Sequence, residues 1–77
     1  MNMLLSELST NDVAAVVDFS KVHNVIQKRL LQLGVRQNCE VCLLRKLPFG
    51  GPCMIKAGGQ CISVRLDEAR LIEVNKI

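Results

Sequence analysis

The chain reads as a mainly β, α+β domain: a small SH3-like β-barrel capped by one main helix. Three observations predict it. Five short segments carry strand patterning, a single stretch holds an apolar stripe at helical spacing, and Gly58-Gly59 sits between two of the strands as a tight-turn pair. So few short strands cannot form a large sandwich, and a curled sheet closed by the helix is the economical way to bury both strand faces. The 77 residues are read as one domain over 1–77, near the size at which a chain buries only about 60% of its unfolded surface.

Leu5 and Leu8 flank Ser6 and Glu7 at the spacing of one helical turn. Ser9-Thr10-Asn11-Asp12 then breaks it, because these side chains prefer local hydrogen bonds to regular structure. Residues 13–19 alternate, with Val13, Ala15, Val17 and Phe19 on one face and Ala14, Val16 and Asp18 on the other. They predict a strand covered on both sides, with Phe19 in the core. Ser20 is the expected N-cap of a helix over 21–33.

At about 100° per residue, Val22, Val25, Ile26, Leu30 and Leu33 fall within an arc of roughly 140° that suits packing on a sheet. Two residues disobey the stripe. Arg29 interrupts it and is expected to lay its stem along apolar surface. Leu31 projects from the opposite side, among Asn24, Gln27 and Lys28, where it either packs under the N-terminal turn or stays exposed as an anchor for another protein. Gly34 supplies the left-handed residue that ends the helix.

A longer strand follows over 39–47, with Cys39, Val41 and Leu43 on one face and Glu40, Cys42 and Leu44 on the other. Pro48-Phe49-Gly50-Gly51-Pro52 is a loop by composition. Strands over 53–57 and 60–66 are joined by Gly58-Gly59 as a hairpin. Residues 67–70 make one helical turn with Asp67 and Glu68 at its positive end, and 71–74 return as the last strand.

Composition narrows function. An apolar fraction of 49% against 22% charged residues is rich for so small a domain and leaves apolar surface over for a partner. The net charge of +3 is mild, its basic residues are dispersed, and Phe19 and Phe49 are the only aromatics, so no nucleic-acid stacking surface is expected. Met1-Asn2-Met3-Leu4-Leu5 is interrupted too early for a signal peptide, and no apolar run is long enough to insert in a membrane; a cytoplasmic protein with reduced thiols is expected.

No catalytic site is legible, and no cofactor is expected. Cys39 and Cys42 sit three apart in a strand and so face opposite sides, unlike a zinc knuckle. Cys53 and Cys61 lie on consecutive strands and could face each other across the hairpin, but paired core cysteines look the same. His23 has Gln27 rather than a ligand one turn on, and reads as a solvated histidine. No metal site is assigned. The glycine pairs lack the lysine and helix start of a phosphate loop.

Arg29-Leu30-Leu31-Gln32-Leu33-Gly34-Val35, Cys39-Glu40-Val41, Leu47-Pro48-Phe49-Gly50-Gly51-Pro52 and Ile62 to Leu66 through Glu73-Val74 together resemble the FeoA family. The most specific parts are the helix end with Arg29, Leu30, Leu33 and Gly34, and the loop with Pro48, Gly50 and Pro52. Two turns depart from the family pattern: Gln37-Asn38 replaces Pro-Gly, and Thr10-Asn11 stands where a glycine is common. Asn tolerates the left-handed conformation, so both turns are expected to survive.

The resemblance implies an SH3-like barrel and a bacterial, cytoplasmic accessory of ferrous iron uptake that binds the FeoB transporter, at its GTP-binding domain or a membrane-proximal region, without enzymatic activity. Self-association is compatible with it. The alternative is a metal-responsive or metal-binding module like the C-terminal SH3-like domain of iron- and manganese-dependent repressors. On the first reading the partner surface comprises Leu31, Lys28, Gln27 and Phe49.

Overall fold

Backbone pairing builds the architecture from segments too short to stand alone. The computed structural model describes residues 2–77. Its strands are β1 (Asn2–Leu4), β2 (Val13–Asp18), β3 (Glu40–Lys46), β4 (Cys53–Ala57), β5 (Gln60–Val64) and β6 (Glu73–Lys76). They form one antiparallel sheet in the order β1-β6-β2-β3-β4-β5. The helices are α1 (Asn24–Gln32) and α2 (Leu66–Ala69), with a 3-10 turn at Leu5–Glu7. The sheet curls into the expected SH3-like form, but its outer strands β1 and β5 do not pair, so the barrel stays open along one seam.

Its inner lining is aliphatic. Leu5, Leu8, Leu43, Ile55, Ile72 and Val74 are among the side chains shut off from solvent, and no polar or charged residue is buried with them among the described residues. Two bulges set which side chains reach this core. β2 slips register against β6 between Val16 and Asp18, and β3 slips against β4 between Leu43 and Arg45. The extra residue in β2 reverses the alternation, so Phe19 enters the core with Ala14 and Val16 instead of following Val13 and Val17. In β3 the same device turns Arg45 to solvent, opposite Met54, although simple alternation would align it with buried Val41 and Leu43.

Several expected boundaries move. The sixth strand, β1, exists because Met3 lies opposite Val74 on β6, a partner no local pattern announces. The last strand runs over Glu73–Lys76 rather than 71–74. Helix α1 begins at Asn24, and its N-cap is His23, whose Nδ1 accepts the Val25 amide at 3.2 Å. Ser20 is unavailable for that role because its hydroxyl donates to Asp18 Oδ2 at 2.8 Å. The late start leaves Val22 buried outside the helix, while Val25 is 65% exposed and Arg29 is exposed beside it. The buried stripe is therefore narrower than its spacing suggests: Leu30 is enclosed, and Ile26 and Leu33 pack partly against the core.

The helix ends as expected. Gly34 adopts φ +95°, the Gly34 amide donates to Leu31 O at 3.1 Å, and the Val35 amide donates to Leu30 O at 2.9 Å. Those paired bonds are a Schellman motif, sealed by burial of Leu30 and Val35. The substituted turns also survive through asparagine, with Asn11 at φ +73° and Asn38 at φ +69°.

Candidate partner-binding surface

The connections on either side of α1 frame a groove. Gln27 clamps the segment entering the helix, its Nε2 donating to Ser20 O at 3.0 Å and to Val22 O at 2.6 Å. Across from it, the turn after the helix is tied to β2: the Asn38 amide donates to Val16 O at 2.7 Å, and Gln37 Nε2 donates to Val17 O at 3.2 Å, beside the bulge. Between them lies an open groove of about 750 Å³, lined by residues that include Asp18, Phe19, Gln27, Leu31, Arg36 and Gln37.

Leu31 forms one wall and is 46% exposed. It shares that lining with Phe19 and Arg36. Lys28 is exposed on the same helix, whereas the Gln27 amide is already committed to backbone carbonyls and shapes the wall. The rim carries one charge of each sign. Hydrogen bonds from the Ser20 side chain and amide, with help from Lys21, hold the Asp18 carboxyl below the usual carboxylate range, so it stays anionic opposite Arg36. Arg36 and Gln37 escaped the sequence reading because the left-handed turn at Asn38 was legible, but not its return alongside the helix.

Phe49 occupies a second exposed position. The β3–β4 hairpin closes through the Leu47 amide to Pro52 O at 3.0 Å and the Gly51 amide to Pro48 O at 3.1 Å. Within it Phe49 has φ +60° and Gly50 φ +72°, the pattern of a type I′ turn. The Phe49 ring meets no cover at all, with a relative exposure of 104%. A left-handed non-glycine residue costs about 1–2 kcal/mol, and a phenylalanine cannot recover it through a local side-chain hydrogen bond as Asn can. The turn is tight elsewhere too: a Cβ on Gly51 would lie 2.9 Å from Leu47 Cβ.

The thiols do not converge. Cys53 is enclosed in the core, and burial pushes its pKa up, away from the thiolate form. Cys61 is exposed and lies opposite Lys56, while Cys53 lies opposite Val64, so the two do not face each other across the hairpin. The Sγ of Cys39 accepts the Arg36 amide at 3.3 Å, a turn-stabilising contact. Among the described residues no group of three or more His, Cys, Asp or Glu side chains is placed to hold a metal ion. No helix there is long and apolar enough to cross a membrane.

The sequence profile of the FeoA domain matches residues 3–76. A Campylobacter jejuni protein carrying the provisional name Fe(2+) transport protein A is 31% identical over 75 residues, spanning 97% of this chain and 100% of that one. Among solved structures, the FeoA protein of Chlorobium tepidum is 31% identical with a TM-score of 0.91, covering 97% of this chain and 70% of that one. The FeoA of Stenotrophomonas maltophilia, solved with zinc and described as a procaryotic SH3 domain protein, is 32% identical with a TM-score of 0.80 over 95% of this chain and 89% of that one. A manganese-dependent transcriptional repressor shares the fold alone, at 14% identity and a TM-score of 0.87 over 99% of this chain and 42% of its own. The curled antiparallel sheet, the helix-end motif around Gly34 and this run of matches agree: the chain belongs to the FeoA domain family of ferrous iron transport accessory proteins.

Proposed function

We propose that this protein is a non-enzymatic cytoplasmic adaptor that binds a cytoplasmic part of the FeoB ferrous iron transporter through the groove beside Leu31 and the turn bearing Phe49. The observation that carries the reading is Phe49: a fully exposed aromatic held on left-handed backbone. Strain kept at the surface without any packing return points to function, and aromatic side chains entering a partner's pocket are the usual energetic centres of an interface. The half-exposed Leu31, with Asp18 and Arg36 on the rim of its groove, supplies a second apolar contact with polar groups to fix orientation. Family membership supports the transport setting.

The test is capture of purified transporter, both full-length and as its isolated GTP-binding domain, by this protein and by its Leu31→Asp variant. Capture of at least one form, lost on Leu31→Asp while the variant keeps its circular dichroism and Tm, is the expected result. A folded variant that binds as well as the parent would remove Leu31 from the surface. Failure to capture either form would end the adaptor reading.

A further inference from the structure

The two edges of the sheet are treated differently. β1 is three residues long and runs straight into the 3-10 turn at Leu5, which leaves little edge to pair with. β5 is five residues, Gln60-Cys61-Ile62-Ser63-Val64, with no proline, no charge and no bulge in its register with β4. Natural sheets ordinarily blunt such an edge with those devices. β5 has a neighbour on one side only.

The hairpin fixes which groups are free. With Gly58 and Gly59 as a two-residue turn, Ala57 and Gln60 are the first hydrogen-bonded pair, and the pattern repeats at Ile55 with Ile62 and at Cys53 with Val64. The N–H and C=O groups of Cys61 and Ser63 therefore point away from β4, and no hydrogen bond reaches them among the described residues. They offer two donors and two acceptors at the spacing of an extended backbone.

The surroundings set the chemistry of what pairs there. On the solvent face Lys56 lies opposite Cys61, Arg45 lies opposite Met54, and Arg65 follows two residues beyond Ser63; all three cations are exposed. None of them is in an ion pair among the described residues. A cleft of about 340 Å³ at the end of the strand, lined by residues that include Gly50, Pro52, Ser63, Arg65 and Asp67, lies beside the Phe49 turn and has room for a side chain. Asp67 is the one carboxylate of that lining.

We propose that β5 is a docking edge for an extended acidic segment of a partner protein, which adds to the sheet as a seventh strand by pairing with Cys61 and Ser63. Residues of that segment opposite Cys61 and Ser63 project on the solvent face, within reach of Lys56 and Arg65, and are acidic. The alternate residues turn toward the side of Ile62 and Val64 and are apolar. A second copy of this chain fits less well, since edge-to-edge pairing brings together two bodies of net charge +3 with their cations on one face. This contact is separate from the groove at Leu31.

A phage-displayed library of random short peptides, selected on the full chain, is the probe. Selected sequences should alternate Asp or Glu with apolar residues. A synthetic peptide of the consensus should slow amide exchange at Cys61 and Ser63 by about ten-fold or more and bind more weakly as salt rises from about 0.15 M to about 1 M. Ser63→Pro removes an outward donor without touching the β4 ladder, and should abolish binding at near-parental Tm. Should that variant fail to fold, Lys56→Glu with Arg65→Glu keeps the backbone intact and should reverse the preference to basic peptides. Leu31→Asp should leave peptide binding unchanged, which separates this edge from the groove at Leu31. Selected peptides without acidic residues, protection mapped elsewhere, or undiminished binding by folded Ser63→Pro would each overturn the proposal. Protection of Cys61 and Ser63 that grows with protein concentration, without peptide, would assign the edge to a second copy instead.

Discussion

The two hairpin turns of this sheet have nearly the same backbone and opposite chemistry. Between β4 and β5, Gly58 and Gly59 take φ +58° and +81°; between β3 and β4, Phe49 and Gly50 take +60° and +72°. Glycine enters the left-handed region without steric cost, so the first turn is what hairpin geometry alone would select. The second places a large aromatic at the position where Asn, Asp or Gly is ordinarily found, and its ring packs on nothing in its own chain. Two turns doing the same structural work with such different residues are the contrast on which the proposed role of Phe49 rests.

That contrast is open to direct attack. The largest expected effect is on Phe49→Asn: affinity for the transporter should fall by about 30-fold, the scale of losing an interface centre worth ~2 kcal/mol. The same variant should be more stable by about 1 kcal/mol, a Tm rise of roughly 4–8 °C in a domain of this size, because Asn tolerates the conformation. Paired binding and thermal-unfolding measurements check both signs; a loss of stability would mean that the ring has a structural task and would dissolve the contrast. The mirror experiment is Gly58→Ala. A Cβ there meets no atom within 4 Å, so the expected loss of about 1–2 kcal/mol in denaturant unfolding is backbone strain alone, with transporter binding retained.

The smallest effect separates these hairpins from the turns that depend on side chains. Asp12 accepts the Ser9 amide at 2.8 Å, and that bond, with Lys76 nearby at 3.4 Å, lowers its pKa; Asp18 is lowered by the Ser20 hydroxyl and amide. A depressed carboxyl stabilises the fold above the ordinary carboxylate pKa, and the contribution is lost as pH falls through the depressed value. Both groups are on the surface, so the loss is modest. Protection of the Ser9 and Ser20 amides, measured against the intrinsic exchange rate at each pH, should fall between neutral and strongly acid pH, while the two hairpin turns, which hold no carboxylate, change least. Asp12→Asn and Asp18→Asn should reduce that acid sensitivity.

What could be read from the sequence is what local chemistry decides. Gly34, Gly58-Gly59, Asn11 and Asn38 each sit where a left-handed residue is needed, and each adopts it. What escaped depends on partners distant in the chain. β1 needs β6, at the other end of the chain, and its own three residues carry no alternation to detect. The helix cap moved from Ser20 to His23 because Asp18 competes for the serine, a contact created by the curl of β2. With the start shifted, Val25 left the buried stripe. At the candidate surface, Leu31 and Phe49 stood out as residues without a role, but the groove needs the return of Arg36 and Gln37 across β2, and the β5 edge needs the whole strand order.

The bulges at Val16/Asp18 and Leu43/Arg45 act on the chain as a change of parity. Along a strand, odd and even positions are assigned to opposite sides, and each inserted residue exchanges that assignment for everything downstream. Phe19 is inside and Arg45 outside for this reason alone. Straightening β2 there while keeping every residue would therefore do more than mend a ladder: it would send an aspartate toward the core and a phenylalanine into water. In this small sheet, the count of residues is as much a part of the design as their identity.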